Sequence, residues 1–132
     1  MKNFIILLIA VLVSSCSVLD YSKRIAGYSV ENFKQEKKGN FSINVELPIK
    51  KAYNKCSLFL FENNIQINFK NFKKNYIIAS KFSLIYEYTL DSTEVAFFVS
   101  EIDKNNSKIE VISNNSRLAK FVYNKLVTYM NK

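Results

Sequence analysis

The chain has 132 residues, 48% of them hydrophobic and 14% aromatic, which is enough for one hydrophobic core and too little for two. With 19 basic residues against 11 acidic ones and a formal charge of +8, it stays basic at physiological pH. Histidine is absent, which excludes Ser-His and Cys-His dyads and any histidine metal site.

The first element is a leader. Lys2 supplies one positive charge, the apolar run from Phe4 to Val13 is too short to span a bilayer as a stable helix, and the small residues Ser14 and Ser15 precede Cys16. This is the three-part pattern of a secretory signal over residues 1–15. Leu12-Val13-Ser14-Ser15-Cys16 also resembles the lipobox of bacterial lipoproteins, with an aliphatic residue, small residues and a cysteine in that order. The resemblance implies that Cys16 receives a diacylglycerol thioether, that cleavage falls before it, and that its new amine is acylated. Two or more acyl chains, at about 0.8 kcal/mol per buried CH₂, hold a protein on a membrane where one does not. The competing readings are an ordinary cleavage site with a chance cysteine, or an uncleaved N-terminal anchor. On the lipoprotein reading the partner is a membrane, reached through Cys16, and the location is the cell envelope. Ser17 stands where an aspartate would signal inner-membrane retention, so the resemblance implies an outer membrane and a domain facing the periplasm. Cys56 then has no partner for an intrachain disulfide.

Residues 16–40 read as anchor and tether. Val18, Ser22 and Ile25 share one helical face before Gly27 interrupts it, and the stretch from Glu31 to Asn40 is mostly polar and ends in a Gly39-Asn40 turn signal. Fully extended, such a tether reaches about 80 Å.

From residue 41 to 132 the pattern is that of one α+β domain. Phe41 to Leu47 alternates apolar with polar residues, as a half-buried strand does. Pro48 stands where a helix can begin, and Ile49, Ala52, Cys56 and Phe59 recur at three- and four-residue steps, which predicts a helix from Ile49 to Glu62. Asn63-Asn64 stops it, and Ile65, Ile67 and Phe69 alternate with Gln66, Asn68 and Lys70 as a second strand. Tyr76 to Lys81, Leu84 to Leu90, Glu94 to Ile102 and Lys108 to Ile112 are rich in β-branched and aromatic residues. They read as an antiparallel meander in which the first two could be one bent strand. Leu118, Phe121, Val122, Leu126 and Tyr129 form the stripe of a closing helix, Ser116 to Met130, with Asn114, Asn115 and Ser116 as capping residues. The order is β-α-β-β-β-β-α. Two amphipathic helices need a common apolar surface, so the expected architecture is a two-layer sandwich, a mainly antiparallel sheet with both helices on one face.

Taken together, the lipobox, the charged tether, the β-α start, the Thr93-Glu94-Val95 segment and the terminal helix resemble a class of small α+β envelope lipoproteins. That resemblance implies a fold and a compartment. It implies no activity, so function rests on sites.

Cys56 falls on the apolar face of the first helix and reads as a core residue. Glu94, Glu101 and Glu110 are the carboxylates that could converge across strands, which keeps a glycan-directed hydrolase as the weakest alternative; no catalytic residue and no cofactor is assigned. Lys50, Lys51 and Lys55, with Lys73 and Lys74, are candidates for contact with an anionic envelope polymer or small ligand. Lysine far outnumbers arginine, which argues against forked phosphate or base-edge recognition and hence against nucleic acid. Helices cover one face of a sheet only, so the later strands are expected to leave aromatic groups exposed, with Phe98 outward and Phe97 in the core. The competing possibility is that residues 17–40 or the helices cover that face. The leading expectation is a non-enzymatic, membrane-anchored binding or scaffolding module with an envelope protein as partner.

Overall fold

The computed structural model describes residues 39–132. The expected leader, Cys16 and the expected tether up to Lys38 lie outside the described residues. Five strands form one antiparallel sheet: β1 (Asn40–Val45), β2 (Gln66–Asn71), β3 (Tyr76–Ser80), β4 (Val95–Glu101) and β5 (Ser107–Ile112), in the spatial order β1-β5-β4-β3-β2. Two helices, α1 (Ile49–Glu62) and α2 (Ser116–Met130), complete the expected β-α-β-β-β-β-α order.

Both helices begin and end for local reasons. Pro48 precedes α1 with the fixed φ of −57° that suits helix entry, and its carbonyl accepts from Ala52 N–H at 3.0 Å. At the far end Asn64 takes a left-handed φ of 56°, while Ile65 N–H donates to Leu60 O and Asn64 N–H to Phe61 O, the paired bonds of a Schellman stop. Asn115 caps α2, its side-chain oxygen accepting from Leu118 N–H at 3.1 Å.

One face of the sheet carries Ile77, Ala79, Val95, Phe97, Val99, Ile109 and Val111, and the core is their contact with Ala52, Cys56, Phe59 and Leu60 of α1 and Leu118, Val122 and Leu126 of α2. The helices run antiparallel, Phe59 against Tyr129 at 5.4 Å and Lys55 beside Met130. Gly39 closes the entry to β1: a Cβ there would lie 2.0 Å from Ser113 O, so only glycine allows this approach.

Three expectations are corrected. Leu84 to Leu90 is not a strand. Lys81 turns left-handed (φ 61°), Phe82–Leu84 form a short 3₁₀ turn with Phe82 fully buried, and the chain continues as a loop to Glu94. Strand β3 already has β2 on one side and β4 on the other, so a strand at 84–90 would have no edge beside β3 to pair with.

The second correction lies in β2, where the register shifts between Ile67 and Phe69: Ile67 pairs with Ala79 and Phe69 with Ile78. Asn68 is the extra residue of this bulge, so Phe69 is sent to the face opposite the helices instead of joining Ile67. Asn68 is held there by bonds to Ser80 Oγ (3.0 Å), Gln66 Nε2 (3.1 Å) and Glu94 Oε1 (3.0 Å).

The third concerns Phe98. It lies on the face opposite Phe97, as alternation requires, but it is only 7% exposed. Tyr76, Ile78, Ala96 and Ile112 on the same face are buried too. Along this face Phe69 stacks on Tyr76 at 5.9 Å and Tyr76 tilts against Phe98 at 6.0 Å, a cross-strand aromatic ladder that shields each ring laterally. The outward aromatic surface expected at Phe98 is therefore not free.

Candidate functional site

The five candidate lysines do not form one surface. Lys55, one turn after Lys51 on α1, donates from Nζ to Met130 O at 3.0 Å. It satisfies a carbonyl at the C-terminus of α2, where a cation is also favoured by the helix dipole, so its role is structural. Lys50 instead turns toward the β2–β3 hairpin, its Nζ 5.9 Å from the centre of the Phe72 ring. Phe72 in turn packs edge-on against Tyr53 at 5.3 Å. Lys73 and Lys74 belong to the same hairpin turn, which is closed by Lys74 N–H to Asn71 Oδ1 at 3.0 Å and by a left-handed Asn75. Lys50, Lys73 and Lys74 thus share one end of the fold, while Lys51 lies on the exposed side of α1 that leads to Lys55.

The three carboxylates do not converge. Glu110 stands opposite Phe98, four residues along from Glu94 and three from Glu101. At about 3.4 Å per residue, Glu94 and Glu110 are roughly 14 Å apart along the strands, beyond the separation that glycoside hydrolysis uses. Glu110 is engaged by Lys108 at 3.2 Å and Glu94 by Asn68 at 3.0 Å. A groove of about 650 Å³ between α1 and α2 is lined by Phe59, Glu62, Phe121, Lys125, Tyr129 and Lys132 among others, with Glu62 the one acidic side chain among the described lining residues. Cys56 is buried, and burial pushes its thiol from 9.0 up to about 12, the reverse of what a nucleophile needs. No group of three or more Cys, Asp or Glu side chains suited to a metal ion occurs among the described residues.

The surface that stands out is the loop between β3 and β4. Leu84 is 69% exposed, Tyr88 76% and Leu90 74%. These side chains project from an ordered frame: Lys81 N–H donates to Asp91 O at 3.0 Å, Ser83 Oγ bonds Asp91, Tyr86 N–H donates to Phe82 O at 2.8 Å and Thr93 N–H to Leu90 O at 3.0 Å. Tyr86 anchors the middle, packing against Phe121 of α2 at 4.9 Å and against Tyr88 at 5.8 Å. The result is a compact, pinned loop with three apolar tips in water. The β-branched and aromatic content of Leu84 to Leu90 favours a strand and hides this surface. The flanking Asp91-Ser92-Thr93 turn cluster was the available signal that the segment bends back.

No helix among the described residues is long and apolar enough to cross a membrane. No family model matches the chain, and no curated protein matches it. Among solved structures, the chain is similar to the di-domain ARO/CYC StfQ from the steffimycin biosynthetic pathway, at 7% identity and a TM-score of 0.44. The likeness covers 69% of this chain and 42% of that one, and at this level it says nothing about chemistry.

Proposed function

We propose that the chain is a binding module held at a bacterial envelope membrane by lipid on Cys16, and that it acts by docking a protein partner on the β3–β4 loop, without catalysis. The observation that carries this reading is the exposure of Leu84, Tyr88 and Leu90 on a loop fixed by its own hydrogen bonds. Exposed apolar side chains on a preordered frame lose little conformational entropy on binding and gain from every contact made, which is how aromatic and aliphatic anchors dominate interfaces. They contribute little to the monomer. Support for the tether is the order Leu12-Val13-Ser14-Ser15-Cys16 at the end of the leader, and Ser17 favours the periplasmic face of an outer membrane. A buried, neutral Cys56 and dispersed carboxylates fit a binding role better than a hydrolytic one.

The test is isolation of the full chain from its native envelope alongside a variant carrying Leu84→Ser, Tyr88→Ser and Leu90→Ser. A stoichiometric protein lost from the variant, with unfolding midpoints unchanged, is the expected result. Retention of the same partner by the variant would contradict the assignment of the loop. Intact mass of the native protein tests the tether separately, and an unmodified Cys16 would remove it.

A further inference from the structure

The other end of the sheet carries a surface of different chemistry. Hairpin β2–β3 turns at Phe72 to Asn75, with Phe72 48% exposed and Lys70, Lys73 and Lys74 its near neighbours in the chain. Lys70 pairs with Ile77 in register and so faces the helix side of the sheet, where Lys50 of α1 reaches over the Phe72 ring. Lys50 thus reaches the half-exposed phenyl ring from α1, and Lys70, Lys73 and Lys74 belong to the hairpin that carries it. Of the carboxylates at this end, Glu46 and Asp103 lie on the β1–α1 and β4–β5 connections and Glu101 is the last residue of β4, the strand beside β3; Asp103 accepts from Asn105 and Asn106 within its own turn. The first turn of α1 holds no acid and Pro48 provides no side-chain cap, so Lys50 and Lys51 sit at the positive end of a helix dipole. That arrangement is disfavoured in isolation and is relieved by a neighbouring anion.

We propose that the Phe72 hairpin, with Lys50, Lys70, Lys73 and Lys74, is a docking surface for an anionic lipid bilayer. The lysines supply charge complementarity to headgroup phosphates, and lysine serves as a diffuse point charge suited to a fluid surface more than to one shaped phosphate. The phenyl ring selects a bilayer over a soluble polyanion, because it gains only where there is an apolar phase to enter. The surface is separate from the β3–β4 loop and does not depend on acylation of Cys16.

The chain contains no tryptophan, so Phe72→Trp in the full chain is a single reporter. It is mixed with neutral phosphatidylcholine vesicles and with vesicles containing phosphatidylglycerol, each with brominated acyl chains as quenchers. The expected result is blue-shifted, quenched indole emission from position 72 on the anionic vesicles alone. That signal is lost with added salt and in the background of Lys50→Gln, Lys73→Gln and Lys74→Gln, while Leu84→Trp in a parallel chain stays unquenched. Because the N-terminal segment can hold the chain on either vesicle, the reading is of position 72 and not of attachment. Unquenched emission from the Phe72→Trp chain on both vesicle types, or equal quenching on both, would overturn the proposal. A shift produced equally by soluble polyphosphate, without bromine quenching on vesicles, would assign the surface to a free polyanion and overturn it as well.

Discussion

Phe97 and Phe98 are neighbours on β4 that point to opposite faces of the sheet, and both are withdrawn from water. Phe97 is enclosed by the helices, whereas Phe98 lies in the ladder with Tyr76. Phe97→Ala and Phe98→Ala should therefore each cost about 3–5 kcal/mol in denaturant melts of the full chain, because each removes a buried ring and leaves a cavity. A loss confined to Phe97→Ala would restore Phe98 as a surface residue. Cys56 gives a second test. Its folded thiol keeps its proton more tightly than the unfolded one, so its contribution to stability is complete below pH 9.0 and is lost as pH rises toward about 12. Tyr53 and Tyr76, both raised chiefly by burial, act in the same sense at alkaline pH. Denaturant stability should fall between about pH 9 and about pH 12, and Cys56→Ala should flatten part of that fall. Rapid labelling of Cys56 by a thiol reagent in the native protein would contradict its placement.

At the scale of elements, Lys51 and Lys55 look alike in sequence, one turn apart among apolar partners, and only the packing of α2 against α1 separates them. Lys55 holds Met130 O. Lys55→Gln should lower stability by roughly 1 kcal/mol through the loss of a charge-assisted bond at a helix end, while Lys51→Gln should stay within about 0.5 kcal/mol. Thermal melts of the two variants check this, and equal effects would show that the bond contributes nothing. Both helices were legible in the sequence because spacing, the entry proline and the Asn63-Asn64 stop are local signals. Phe69 was not. A bulge depends on the bonds Asn68 makes with Ser80 on β3 and with Glu94 before β4, which no alternation within β2 records. The 84–90 segment failed for a topological reason, since β-branched and aromatic content favours a strand locally and says nothing about whether an edge is open to receive it.

For the molecule as a whole, the two ends of the sheet differ in chemistry. Tyr88 with Leu84 and Leu90 marks one end, and Phe72 within its lysines marks the other. The lysine runs were visible in sequence, but their division into a structural Lys55 and a hairpin cluster was not, because it follows from the antiparallel placement of α1 and α2. Binding at one end should leave the other free. The β3–β4 loop as a partner site is tested most directly by placing a photo-crosslinking amino acid at Tyr88 of the full chain, and in parallel at exposed Thr128, in cells with the native envelope. One discrete protein adduct is expected from position 88 and none of that mass from position 128; no adduct at 88, or the same products from both positions, would contradict the loop's role.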